Sequence, residues 1–187
     1  MIGRLPTSVT VNGKSYDIRS DFRNILIIFQ VMNDEELTAV ERIVTITSIF
    51  FKDEIPAEEI EDAYKQLLLF INCGVPEPEH KVKKPSLYDW KKDEQIIFSA
   101  INKVAGKEVR FEPYMHWWTF MGLFNEIGEG MFNTVISIRS KKAKGQRLDK
   151  WEQEFCRNNK DMIDLPKHYT EEEQAQIDAL NEILGQL

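Results

Sequence analysis

The residues with the chemistry of nucleophiles, bases or metal ligands are few in this chain, and they are scattered. His80, His116 and His168 are far apart. No two have the spacing with which one helix face holds a metal, and none stands beside Cys73 or Cys156. His116 is expected to be a helix-surface or hydrogen-bonded residue rather than a ligand or base. The two cysteines read as packing residues in a setting that keeps thiols reduced. Gly13-Lys14-Ser15 has the ending of a phosphate-binding loop, but Ser8 stands where that loop needs its first glycine. No serine sits in a nucleophile elbow, and no glycine-rich dinucleotide fingerprint occurs. The carboxylates fall mainly in helix first turns and on polar faces, where the helix dipole and solvation account for them. The expectation is a protein without enzymatic activity, cofactor or metal.

The residues that stand out are instead those that pack or bind. From Tyr114 to Asn125 the sequence reads Tyr-Met-His-Trp-Trp-Thr-Phe-Met-Gly-Leu-Phe-Asn, too aromatic to be left in water. It reads as a helix, apolar around most of its girth and central to a helical domain. Adjacent helical positions point about 100° apart, so the two tryptophans take different faces. Trp118, in row with Tyr114 and Met121, is expected to be the deeper, and Trp117 to lie at a partner-facing edge. The second candidate is Arg139, Lys141, Lys142, Lys144 and Arg147, a basic cluster in a chain of net charge −7. It is either a solvated helix-to-helix connection or a contact for an acidic partner. The overall acidity argues against nucleic-acid binding, because phosphate rewards excess Lys and Arg.

These residues must be positioned by a mainly α framework of seven or eight helices with a short N-terminal β-hairpin. Ser8-Val9-Thr10-Val11, Asn12-Gly13 and Lys14-Ser15-Tyr16-Asp17-Ile18 alternate apolar and polar residues about a two-residue turn. Val9, Val11, Tyr16 and Ile18 would share the buried face. Ser20 is placed as the cap of a helix through Phe22, Ile25, Leu26, Phe29 and Met32. Asn33 with Glu36 has capping-box spacing for the next, with Leu37, Val40, Ile43, Val44 and Phe50 or Phe51 inward. A third helix follows Pro56, buries Ile60, Tyr64, Leu67, Leu68 and Ile71, and closes at Gly74. Pro76, Pro78 and Pro85 in a charged setting mark residues 75–86 as an exposed linker between 1–74 and 87–187.

Beyond that linker, Trp90, Ile97, Phe98, Ile101 and Val104 precede Gly106, and an extended link leads to the tryptophan helix. Met131 to Ile138 is β-branched yet favours helix, because no second strand lies nearby. Leu148, Trp151, Phe155 and Met162 mark another helix, ending before Pro166. Thr170 with Glu173 then caps a last one, whose thin row Ile177, Leu180, Leu184 suggests loose docking. With 42% apolar residues the chain is globular, and no apolar run approaches the ~20 residues of a membrane span. Arg4 is followed by no apolar stretch before Pro6, so no secretory signal is expected and the cytoplasm is the expected location.

Four stretches carry a family resemblance. They are Tyr16-Asp17-Ile18-Arg19-Ser20-Asp21-Phe22-Arg23; Phe70-Ile71-Asn72-Cys73-Gly74; His116-Trp117-Trp118-Thr119-Phe120 with Leu123-Phe124 and Val135-Ile136-Ser137-Ile138-Arg139; and Trp151 to Lys160. In this order they resemble the bacteriophage gene-product-fifteen family of long-tailed phages and prophages of Gram-positive bacteria. Lys91-Lys92-Asp93-Glu94-Gln95 departs from the pattern by opening on two bases. The resemblance implies a tail assembly chaperone that coats the tail tape measure protein, with the tail-tube protein as a further partner and weak self-association between copies. It also implies action in the bacterial cytoplasm and absence from the mature virion. A structural component kept in the tail or connector is the alternative, and a nucleic-acid-binding regulator using the Arg139–Arg147 cluster is a third.

Overall fold

The computed structural model describes residues 3–76 and 86–166. Two strands, β1 (Ser8–Val11) and β2 (Lys14–Asp17), pair antiparallel with Val9 opposite Tyr16. Asn12 and Gly13 take positive φ (48° and 82°), as the tight turn between them requires. Val11, Tyr16 and Ile18 are buried and Val9 packs against the same core, so the expected face of the hairpin is the one covered. Eight helices follow among the described residues: α1 (Phe22–Met32), α2 (Ala39–Phe50), α3 (Ile60–Ile71), α4 (Glu94–Ala105), α5 (Trp117–Asn125), α6 (Met131–Ala143), α7 (Lys150–Asn158) and α8 (Lys160–Ile163). The protein is mainly α with one hairpin. The β-branched segment 131–138 is helical, inside α6.

Two helix starts lie elsewhere than expected. Asp21, not Ser20, caps α1, its carboxylate accepting from the Arg23 amide at 2.9 Å. Ser20 is turned to the Tyr114 hydroxyl at 2.8 Å instead. The capping box of α2 is Thr38 with Glu41, and Asn33 is the residue that ends α1. This later start changes the buried face of α2. Ile46, Thr47 and Phe50 point inward, while Val40 and Val44, expected to be buried, are 71% and 45% exposed. Thr47 tolerates the core because its hydroxyl donates to the Ile43 carbonyl at 2.6 Å. Pro56 precedes a 3-10 turn (Ala57–Glu59) rather than opening α3.

One hydrophobic cluster runs from Val11 and Tyr16 through Phe22, Phe50 and Leu67 to Ile97, Trp117 and Phe132. It draws on both sides of residues 75–86, most of which (77–85) lie outside the described residues, as does the helix expected around 170–184. Its centre is aromatic. Phe22 stacks on Phe120 with ring centroids 4.4 Å apart, and Trp90, Phe29 and Phe120 surround Trp117. A smaller cluster of Val135, Ile138 and Ile163 joins α6 to α8.

Candidate partner-binding surfaces

The tryptophan helix begins three residues later than its aromatic spacing suggests, and this reverses the roles of its two indoles. Residues 20–22 and 115–117 pair in a short antiparallel bridge: Phe22 N–H donates to Met115 O at 3.0 Å, and Trp117 N–H to Ser20 O at 2.8 Å. Asp21 adds its second carboxylate oxygen to the Met115 amide. Tyr114, Met115 and His116 are therefore held extended, and the row Tyr114–Trp118–Met121 does not exist. Trp117 is only 1% exposed, in the core rather than at a partner-facing edge, and Trp118 is the half-buried one. Both indoles donate to the end of α3, Trp117 Nε1 to Ile71 O at 2.9 Å and Trp118 Nε1 to Phe70 O at 2.8 Å. The pair thus serves carbonyls that a helix C-terminus leaves without intrahelical partners.

His116 is the N-cap of α5. Its Nδ1 accepts from the Trp118 amide at 3.0 Å, so the ring proton sits on Nε2, which donates to Pro6 O at 2.9 Å. Burial pushes its pKa below the ordinary 6.5, against the opposing pull of the Pro6 carbonyl. Histidine at this position joins the N-terminal segment to the tryptophan helix. His80 and His168 lie outside the described residues. Cys73 and Cys156 are free and half-buried, and burial raises the Cys73 thiol.

The basic cluster does not form a common surface. Arg139 is 5% exposed and uses all five of its N–H donors, two on Asp93 (2.6 and 2.9 Å) and three on the carbonyls of Leu87, Met162 and Ile163. Lys141 pairs with Glu152 at 2.5 Å, and Lys142 with Asp164 at 3.1 Å. Lys144 and Arg147 remain on the exposed surface. The residues taken for an acidic partner's contact are largely spent inside the molecule, on carboxylates that sequence spacing could not pair with them. Asp93, 46 positions away from Arg139, is the residue missed. Its only signal was an acid at the start of a helix, which the helix dipole already explained.

The open surfaces lie elsewhere. A groove of about 950 Å³ runs between α1 and the turn before α4, with Ile27, Phe29, Val31 and Trp90 in its walls and Pro166 at its border. Ile27 is 46% exposed there. A smaller groove of about 310 Å³ lies between α4 and the start of α6, walled by Ile96, Val104, Ile127 and Met131. Both mix apolar and charged lining: Asp34, Glu35, Glu36, Asp89, Lys91 and Lys92 also line the larger, and Lys103, Glu126 and Glu129 the smaller.

The model of the family described as bacteriophage Gp15 protein matches residues 1–165. The chain belongs to the bacteriophage Gp15 family. No curated protein and no solved structure gives a significant match. Within this Gp15 protein the stretches that carried the resemblance meet in space. Arg19 donates to the carbonyls of Ser48, Ile49 and Phe51 at the end of α2, Asp21 binds Met115, and Phe70 and Ile71 receive the two indoles. Residues of these stretches thus join one helix to another. No helix among the described residues is long and apolar enough to cross a membrane.

Proposed function

We propose that this Gp15 protein is a non-enzymatic assembly factor of the phage tail, a chaperone that shields the tape measure protein in the host cytoplasm and is absent from the finished virion. The observation that carries the reading is the family match over residues 1–165, which makes this a phage protein. The geometry supports a binding role. Among the described residues the buried polar side chains are Ser20, Thr47, Asp93, His116, Arg139 and Glu152, and all but Thr47, which bonds within α2, hold one element to another. Open features include a groove with Ile27, Phe29, Val31 and Trp90 among its polar lining, and outward aliphatics such as Ile27 on α1 with Val40 and Val44 on α2. A tape measure is a long amphipathic helix that would aggregate alone, and helix-in-groove contact covers such a stripe. Weak contacts repeated along one rod gain strength by avidity.

The test is co-expression with the tape measure protein encoded by the same phage. Co-purification and a gain in tape measure solubility are expected, together with absence of the Gp15 protein from purified virions by mass spectrometry. With both proteins folded, failure to associate removes the reading. Its presence in virions at fixed stoichiometry makes it a component of the tail instead.

A further inference from the structure

A third groove, of about 460 Å³, lies between the end of α2 and the turn that leads to α3. Its apolar lining is Val44, Phe51, Ile55, Ala57 and Ile60. Val40, exposed one turn before Val44 on the same face of α2, extends that surface by about 6 Å. The hydroxyls in the lining are already used within α2, Thr47 donating to Ile43 O and Ser48 to Thr45 O. Arg19 takes the carbonyls of Ser48, Ile49 and Phe51, whose partial negative charge at the helix end offsets its own. The floor therefore suits apolar side chains. The charge beside it is mainly negative. Residues 53–62, Asp-Glu-Ile-Pro-Ala-Glu-Glu-Ile-Glu-Asp, hold six acids and no base. Glu59 accepts from the Tyr16 hydroxyl, and Glu61 and Asp62 hold Lys65. Asp53 and Glu54 line the groove, and Glu58 stands exposed on the turn between Ala57 and Ile60. Lys52, the base in the lining, pairs with Asp17 at 3.6 Å.

We propose that this groove is the docking site for a cationic amphipathic helix of another protein. Its apolar row enters between α2 and the turn, covering Val40, Val44, Ile55 and Ile60, while lysines or arginines on its flank meet Asp53, Glu54 and Glu58. Helix-in-groove recognition uses such a row at i, i+3, i+4 and i+7. Acids at the rim then select the sign of the helix and speed its approach. An acidic amphipathic helix would make the same apolar contacts against like charge, which is how the site tells one from the other. That the tape measure supplies the helix rests on the proposed function; the chemistry of the groove does not.

The probe is a synthetic helix of about 18 residues, five turns, with Leu at i, i+3, i+4 and i+7 and Lys elsewhere, titrated calorimetrically into the full chain. Binding is expected, and none with the same peptide carrying Glu for Lys. Val40→Gln/Val44→Gln removes apolar surface and Asp53→Asn/Glu54→Gln/Glu58→Gln removes charge. Each should weaken binding at least about tenfold, whereas Glu126→Gln/Glu129→Gln, at the groove between α4 and α6, should leave it unchanged. All these positions lie outside the core cluster, so the fold remains to report. Amide hydrogen exchange should slow at residues 40–60 when the peptide binds. No binding, equal binding of the acidic peptide, losses no greater than the control's, or protection at residues 27–36 and 89–92 in place of 40–60 would overturn the site. So would a concentration-dependent dimer that Val40→Gln/Val44→Gln dissolves, because a second copy is then the occupant. Under co-expression, both groove variants should lose the tape measure protein. Co-purification unchanged by either removes the tape measure from this groove and leaves the proposed function standing. Peptide binding by a chain that never associates with the tape measure removes the proposed function alone.

Discussion

At the scale of single residues, Trp117, Trp118 and His116 show how a one-turn change in a helix start redistributes roles. Trp117 fills the aromatic centre, so Trp117→Ala leaves a large cavity and is expected to cost roughly 3–5 kcal/mol. Trp118→Ala removes a half-buried ring, and about 2 kcal/mol is expected, so the two melting temperatures should fall in that order. Equal losses would contradict the assignment of faces. His116 adds a pH dependence. Its folded pKa is lowered, so the native state binds fewer protons than the unfolded chain and the contribution to stability is full above 6.5. It is lost as pH falls through the lowered value, because protonation of Nδ1 removes the acceptor of the Trp118 amide. Denaturation curves between pH 7.5 and pH 5 should show declining stability, and His116→Asn, which can cap without titrating, should flatten that slope.

At the scale of elements, stability depends on how helix ends are met. Gly74, just past α3, has φ +81° and lies under Trp118, where an added Cβ would come within 3.3 Å of the indole. Gly74→Ala therefore combines an unfavourable backbone region with a close contact, and a loss of at least about 1 kcal/mol is expected in chemical denaturation. The Arg139–Asp93 pair ties α6 to the start of α4 and to the end of α8. Asp93→Asn leaves a buried guanidinium without its counter-charge and should cost about 3–5 kcal/mol. A Met at both positions should be far less harmful, which separates the cost of an orphaned charge from the net worth of the pair.

At the scale of the whole molecule, residues before and after 75–86 contribute to one hydrophobic cluster. A protease site inserted between Pro78 and Glu79 should give two fragments that co-elute on gel filtration and unfold in a single transition, since neither buries its apolar face alone. Separation of the fragments in buffer would mean that each half carries its own core. Much of the architecture was legible from the chain. Asn12-Gly13 between alternating strands specifies the hairpin, and apolar periodicity marks α1, α3 and α4, because local patterns report which face a segment must bury. What the pattern cannot report is which polar group in a distant segment will satisfy a given end. Asp21 displaced Ser20 as a cap, Thr38 displaced Asn33, and the bridge from 20–22 to 115–117 held Tyr114 and His116 out of the helix.

The sequence by itself determined a mainly α protein, its hairpin turn and the identity of most core residues, since these follow from composition and periodicity, while its phage family rests on the likeness of whole stretches. Only the tertiary structure decided that Trp117 is interior and Trp118 lies against Gly74, and that Arg139 belongs to Asp93 rather than to a partner. The same holds for the groove between α2 and the turn before α3. The reason is physical. Burial of apolar area is a property of each segment's own pattern, whereas the pairing of a buried charge or an indole N–H is settled by whichever acceptor the folded chain brings within about 3 Å.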